Sequence, residues 1–133
     1  MSADYPSMTT AEIRSKFLNF FEERGLKLYP SSSLVPDDPS LLLANAGMNQ
    51  FKEYYQGKKT MKEIGAISCQ KCVRTNDIDC IGEDGRHLSF FEMLGDFSFG
   101  GVSKQQACAW AFELITKEFK LPLDRLYFTV FTE

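Results

Sequence analysis

The sequence predicts an α+β fold in which helices flank an antiparallel β-sheet. Two segments place apolar residues at helical spacing behind a capping box, and two others are β-prone. A long polar connection joins the two β-prone segments. With 133 residues, of which 44% are hydrophobic, the chain is long enough for one core, so we expect a single domain.

The first helix is predicted to begin after Thr9. Thr9 and Glu12 have the spacing of a capping box, in which each side chain bonds the other residue's backbone N–H. Apolar residues then recur at helical spacing, namely Ile13, Phe17, Phe20 and Phe21. Gly25 can supply the left-handed residue that ends a helix. Residues 1–8 lack this period and are predicted to be a flexible tail.

Short elements are predicted between this helix and the sheet centre. Residues 26–29 predict a short strand, and the prolines that follow favour an extended connector. Three leucines at residues 41–43 predict the start of a buried strand. Residues 49–62 are mixed and basic, and we expect short helix and loop there.

The centre of the sheet is predicted to be a hairpin. Residues 65–73 and 90–99 are apolar and β-prone, whereas residues 74–89 are rich in Asn, Asp and Gly. A connection of this length without structure of its own is uncommon and is usually functional. We therefore expect an antiparallel strand pair whose connecting loop carries a site.

The last third of the sequence predicts one more helix and one more strand. Ser103 and Gln106 form a second capping box, and apolar residues follow at helical spacing to about Lys120. Residues 126–131 (LYFTVF) form a strand pattern that runs into the end of the sequence. We expect that strand to belong to a sheet that continues beyond Glu133.

Charge, hydropathy and motifs exclude several function classes. With 15 basic and 18 acidic residues the net charge is −3, which argues against a nucleic-acid coat protein or a polybasic membrane binder. No stretch approaches the ~18 apolar residues of a membrane span, and the N-terminus is too polar for a signal peptide. We therefore expect a cytoplasmic protein without a membrane partner. P-loop, dinucleotide-binding and His-Glu-x-x-His motifs do not occur in the sequence.

Basic side chains stand at both ends of the hairpin loop. Arg74 opens the loop and Arg86 and His87 close it, so strand pairing would bring all three to one mouth of the sheet. Guanidinium groups match phosphate and carboxylate oxygens, which makes this mouth a candidate polyphosphate clamp. The alternative is that these are solvated loop residues. Phe90 and Phe91 would point to opposite faces, so either one ring lies open beside the clamp or both belong to the core.

The four cysteines allow two interpretations. Cys69 and Cys72 have the spacing of a zinc ligand pair. Cys80 and His87 would have to complete that site, but their separation is unlike that of a zinc knuckle. We therefore expect reduced core thiols, Cys108 included, and no metal site.

Four blocks of the sequence stand in the order and spacing of a known family. The blocks are residues 31–36 (SSSLVP), 45–52 (NAGMNQFK), 70–77 (QKCVRTND) and 86–100 (RHLSFFEMLGDFSFG). Over nearly the whole chain they resemble the alanyl-tRNA synthetase family of class II aminoacyl-tRNA synthetases. The resemblance implies a truncated class II catalytic fold, with residues 9–133 as the N-terminal portion of the catalytic domain.

The resemblance also implies where the class motifs lie. Motif 1, which contributes to packing and the dimer interface, would run to Pro36, and the ATP-binding motif 2 would span residues 74–99. Motif 3 has no counterpart in these 133 residues. The same holds for the editing domain, which carries the only zinc that the family implies.

Individual roles follow from the resemblance position by position. Arg74 would contact the α-phosphate of ATP and act as the catalytic residue. Arg86 and His87 would lie near the β- and γ-phosphates, and Phe90 would stack on adenine.

Three further positions match the family's site. Asp77 and Glu92 would stand at the edge of the ATP site, and Met48 resembles a residue of the alanine pocket. The acidic residues Glu83 and Asp84 lie in the same loop, where negative charge is unfavourable beside phosphates.

The implied reaction is the activation of L-alanine by ATP and Mg²⁺ to alanyl-adenylate, followed by transfer to tRNA(Ala). A piece without motif 3 is expected to be inactive alone. The alternative is a free-standing relic that acts as a nucleotide-binding or regulatory module, and a zinc-binding interaction module is a third candidate. An unpaired sheet edge favours self-association, and the class implies a homodimer.

Overall fold

Helices pack on a three-stranded sheet in the computed structural model, which describes residues 7–76 and 78–131. The α-helices are α1 (Thr10–Glu22), α2 (Lys52–Tyr55) and α3 (Lys104–Glu113), and the strands are β1 (Lys27–Leu28), β2 (Gly65–Val73) and β3 (Phe90–Ser98). Short 3₁₀ turns occur at Gly47–Phe51, Ile78–Cys80 and Leu123–Arg125. No helix within the described ranges is long and apolar enough to cross a membrane.

The predicted hairpin is confirmed. β2 and β3 are antiparallel, with Gly65 opposite Ser98 at one end and Val73 opposite Phe90 at the loop end. β1 joins the other side of β2 in parallel orientation over two residues. The α+β class is therefore confirmed, and the antiparallel pair makes up most of the sheet.

Helix α1 begins at the predicted capping box and covers one face of the sheet. Thr9 Oγ1 accepts a hydrogen bond from Glu12 N at 3.3 Å, and Glu12 Oε2 accepts one from Thr9 N at 2.7 Å. Gly25 has φ +87°, a conformation that glycine adopts without strain, and follows the helix as predicted. The core on this face contains Phe17, Phe20, Phe21, Leu26, Ile67 and Leu114.

The opposite face of β2 is covered by the turn Gly47–Phe51. Phe51 is buried, and its ring centroid lies 4.8 Å from that of Phe97 on β3. Gln70 of β2 is also completely buried. Its Oε1 accepts hydrogen bonds from Ser32 N at 2.9 Å and from Gln50 Nε2 at 3.1 Å. This buried amide joins the connector, the turn and the sheet.

The second predicted helix begins where predicted, but its last turn is π-helical rather than α-helical. Ser103 Oγ accepts a hydrogen bond from Gln106 N at 3.2 Å, as the second capping box requires. After Glu113 the chain continues as a π-helical turn, Leu114–Glu118, and Leu114 reaches the core. The helical segment therefore ends close to the predicted Lys120.

Two predicted strands do not form. Residues 41–43 form no strand, since residues 42 and 43 are bends, and Leu42 is 94% exposed. Residues 126–131 are not paired in a sheet, and Tyr127 and Phe131 are 93% and 92% exposed. A strand requires a partner for its backbone N–H and C=O groups, and neither segment has one within the described residues. The predicted flexible tail lies largely outside the described residues, since these begin at residue 7.

Candidate functional site

An open hollow of about 400 Å³ lies at the loop end of the β2–β3 hairpin. It is lined by Arg74, Ile81, Arg86, His87, Leu88 and Phe91. Arg74 directly follows β2, and its backbone N–H donates to the carbonyl of Ser89, directly before β3, at 2.9 Å. Because this bond continues the strand pairing, the two loop ends meet, as the sequence predicts. The hollow therefore brings Arg74, Arg86 and His87 together.

The side chain of Arg74 is oriented by a part of the chain that lies far away in sequence. Its Nε donates to the carbonyl oxygen of Asn45 at 3.0 Å. Its Cζ lies 5.3 Å from the ring centroid of Phe91, within the range of a cation–π contact. The guanidinium is therefore held between a backbone carbonyl and an aromatic ring.

The other end of the loop is organised by Asp84. Its Oδ1 accepts hydrogen bonds from Arg86 N at 2.9 Å and His87 N at 3.1 Å, and its Oδ2 lies 2.6 Å from His87 Nδ1. The backbone hydrogen bonds from Arg86 and then His87 lower the pKa of Asp84 to about 2. The sequence suggested that the Asp84 carboxylate would be unfavourable beside phosphates. In the structure it instead stabilises the turn that contains Arg86 and His87.

The ring that lines the hollow belongs to Phe91. Phe91 is half-buried on β3 opposite Cys72. Phe90 lies opposite Val73, is 53% exposed, and points to the other face of the sheet because neighbouring strand residues alternate. The predicted arrangement of one open ring beside the basic cluster is therefore present, but with Phe91 rather than Phe90 in the hollow.

The other predicted site residues do not line the hollow. Glu92 accepts a hydrogen bond from Arg14 of α1, with Oε2 and Nη2 2.6 Å apart, and this bond lowers the pKa of the Glu92 carboxyl. Glu92 therefore ties β3 to α1 on the face opposite the hollow. Met48 is 50% exposed in the turn Gly47–Phe51. Asp77 lies outside the described residues.

The cysteines are dispersed. Cys72 is buried and Cys69 half-buried, and burial raises the pKa of both thiols. The core-thiol prediction is wrong for Cys80 and Cys108, which are exposed in the hairpin loop and on α3. Across the described ranges, no group of three or more His, Cys, Asp or Glu side chains could hold a metal ion.

A second hollow, of about 520 Å³, lies between the connector and α2, and nothing in the sequence patterns indicated it. It is lined by residues that include Asp38, Lys52, Glu53 and Lys59. The amine of Lys52 lies 2.6 Å from Asp38 Oδ2, and Lys59 pairs with Glu53. The lining lysines Lys52, Lys58 and Lys59 are matched in number by the acidic residues Asp37, Asp38 and Glu53, so this hollow offers a polyanion less net positive charge than the one at Arg74.

Comparison with known proteins gives the family to which this α+β chain belongs. The family described as tRNA synthetases class II (A) matches residues 12–133, so the chain belongs to the class II tRNA synthetases. Among its curated relatives are alanine–tRNA ligases, which confirms the resemblance predicted from the four sequence blocks.

Three of these relatives illustrate the extent of the match. The chain is 54% identical over 121 residues to the chloroplastic/mitochondrial alanine–tRNA ligase of Sorghum bicolor. It is 51% identical over 133 residues to the enzyme of Synechocystis sp. and 52% identical over 126 residues to that of Pseudothermotoga lettingae. The alignments cover 91%, 100% and 95% of this chain, but only 13%, 15% and 15% of the relatives.

Proposed function

We propose that this chain is the N-terminal part of the catalytic domain of an alanine–tRNA ligase and that the hollow at Arg74 binds the phosphates of ATP. The observation that carries the proposal is the convergence of Arg74, Arg86, His87 and the ring of Phe91 on one hollow. The names of the curated relatives support the choice of ligase. Residues 74–99 would then act as motif 2.

The charges in the hollow suit a polyphosphate. The guanidinium groups of Arg74 and Arg86 stay charged at any working pH, and their planar donors match phosphate oxygens. Because Arg74 Nε donates to the carbonyl of Asn45, its two Nη groups remain to donate to phosphate. In this proposal Phe91 contributes the aromatic wall of the hollow. The resemblance instead gives adenine stacking to Phe90, whose ring lies on the opposite face of the sheet, so adenine would have to reach that face to stack on it.

The proposed reaction is an in-line displacement at the α-phosphorus. A carboxylate oxygen of alanine forms a bond to the α-phosphorus, and the bond to the oxygen bridging to the β-phosphate breaks, so pyrophosphate leaves. The alanyl group of the adenylate then passes to the terminal hydroxyl of tRNA(Ala), and AMP leaves. Catalysis of this kind depends on positioning and charge neutralisation, which Arg74 and Arg86 would supply.

Mg²⁺ would enter this site with the nucleotide. When bound to the phosphates, it neutralises part of their charge. The described residues contain no cluster of metal ligands, so the proposal assigns no step to a metal ion held by this chain.

We expect these 133 residues alone to bind ATP weakly and to lack alanine-dependent pyrophosphate exchange. The proposed alanine-pocket residue Met48 is half exposed, so the described residues leave it open to solvent. Robust exchange by the isolated chain would contradict this expectation. Cytoplasmic localisation and a homodimer stay predictions.

A free-standing nucleotide-binding or regulatory module is the second candidate function. It is favoured by one observation, namely that all the residues lining the hollow lie within residues 74–91, so that a single hairpin forms it. A reading frame that continues past Glu133 would support the ligase, whereas a native stop codon there would support the module.

Titration of the chain with Mg-ATP in a calorimeter tests the proposed site. We expect Arg74→Ala to lower the affinity by at least about tenfold, because a hydrogen bond to a charged group contributes roughly 1.5–3 kcal/mol. Lys62→Ala is the matched control, since it removes the same charge at an exposed position outside the hollow. Equal affinities for Arg74→Ala and Lys62→Ala would overturn the proposal.

A further inference from the structure

We infer that Asn49 is a positioning residue that orients the guanidinium of Arg74, a role that rests on the proposed function of the hollow. Asn49 does not line the hollow at Arg74; it lines the other hollow, between the connector and α2. It acts on Arg74 through the backbone of residues 45 and 46.

The side chain of Asn49 fixes two consecutive peptide groups. Its Oδ1 accepts hydrogen bonds from Asn45 N at 3.1 Å and from Ala46 N at 2.8 Å. Because both partners are N–H donors, the acceptor must be the amide oxygen of Asn49. The backbone N–H of Asn49 donates in return to the carbonyl of Ala46 at 3.2 Å.

The peptide segment held in this way provides the acceptor for Arg74. The carbonyl of Asn45 accepts from Arg74 Nε at 3.0 Å, and the carbonyl of the preceding residue, Ala44, accepts from Val73 N at 2.9 Å. The segment therefore binds the end of β2 at two successive residues. Only the bond from Arg74 involves a group that faces the hollow.

The turn that contains Asn49 is itself held in place by packing against β3. Asn49 belongs to the turn Gly47–Phe51, whose last residue is buried against Phe97. A Cβ atom added at Gly47 would lie 3.2 Å from the ring of Phe97, so the turn approaches β3 closely. Asn49 thus connects the buried side of the sheet to an otherwise exposed guanidinium.

Loss of the Asn49 oxygen frees the Asn45 peptide to rotate and leaves Arg74 without a fixed acceptor. We expect Asn49→Ala to weaken Mg-ATP binding about fivefold, in the range of one neutral hydrogen bond, while adenosine affinity changes less than about twofold. Adenosine lacks phosphates and therefore reports whether the hollow has kept its shape. Asn49→Asp keeps an acceptor oxygen at the same position and is expected to lose less ATP affinity than Asn49→Ala.

Asn19→Ala provides the matched control, since it makes the same chemical change at an exposed position of α1. It should leave the affinities for ATP and adenosine unchanged. If Asn49→Ala does not fold, Asn49→Gln makes the same comparison, because it displaces the amide oxygen by one methylene. Native ATP affinity in a folded Asn49→Ala or Asn49→Gln protein overturns the inference.

A double mutant separates positioning from a general structural effect. If Asn49 acts through Arg74, adding Asn49→Ala to Arg74→Ala lowers ATP affinity by less than about twofold, whereas independent effects multiply. A multiplied loss overturns the inference but leaves the proposed function intact. If Arg74→Ala has no effect on ATP affinity, the proposed function fails and this inference fails with it.

Discussion

Strand β2 and the loop that follows it, residues 74–89, are held in different ways. Six of the nine residues of β2 are buried, and the hydrogen-bond partners of the Gln70 side chain include Ser32 and Gln50, which are distant in sequence. In the loop every described residue except Ile81 is exposed, and Asp84 bonds residues two and three positions away. The comparison indicates that β2 carries the stability of the fold and the local turn carries the placement of Arg86 and His87. Arg74 lies where β2 meets the loop, and its side chain is held by a hydrogen bond to the backbone carbonyl of Asn45, which is distant in sequence.

The largest expected effect comes from truncating the same side chain in the two regions. Ile67 is completely buried in β2, so Ile67→Ala should lower the free energy of unfolding by about 2–5 kcal/mol. Ile78 in the loop is 58% exposed, so Ile78→Ala should change it by no more than about 0.5 kcal/mol. Urea denaturation followed by circular dichroism measures both values. Similar losses at the two positions would remove the distinction between strand and loop.

A smaller effect, on binding rather than stability, is expected at Asp84. Asp84→Ala removes the acceptor that orients the Arg86 and His87 peptides, so Mg-ATP affinity should fall about two- to tenfold, as for one or two neutral hydrogen bonds. The midpoint of urea denaturation should fall only slightly, because Asp84 is exposed and its hydrogen bonds stay within one turn of the loop. Asp79→Ala, an exposed acidic residue of the same loop, is the control for the change in charge. Equal gains or losses of affinity in both variants would mean that charge alone matters.

The smallest expected effect is a shift in the pKa of the Asp84 carboxyl. NMR of the Asp84 carboxyl should give a pKa of about 2, below the ordinary value of 3.8, because the carboxylate accepts from the backbone of Arg86 and His87. Because the pKa of Asp84 is lowered in the folded chain, the hydrogen bonds of its carboxylate stabilise the fold at pH values above the ordinary pKa of 3.8. This stabilisation is lost as the pH falls through about 2. The amide signals of Arg86 and His87 should shift with the same midpoint. A titration near 3.8 with unmoved amides would show that Asp84 does not hold this turn.

Local patterns in the sequence were sufficient for much of the fold. The two capping boxes, at Thr9 and Ser103, depend on residues three positions apart and appear as predicted. The hairpin and its basic mouth follow from strand alternation and from the position of Arg74 at the strand end. These features require no knowledge of distant contacts.

The remaining features depend on contacts that no local pattern contains. The leucines at residues 41–43 have strand-like composition but no neighbouring strand within the described part of the chain. Alternation predicts that Phe90 and Phe91 face opposite ways, but only the packing of α1 and of the turn Gly47–Phe51 decides which ring meets the hollow. Two anchors were not predicted from the sequence. Asn45 holds Arg74 through its backbone carbonyl, which has no sequence signal. Asp84 holds His87, but an acidic loop residue suggests solvent exposure.

The most direct test of the central proposal is a map of amide and side-chain NMR shifts during titration of the chain with Mg-ATP. We predict that the largest shifts fall on Arg74, Arg86, His87 and Phe91, at the hollow that these residues line. Shifts concentrated instead on Lys52 and Lys59, in the other hollow, or an absence of shifts at Arg74, would contradict it.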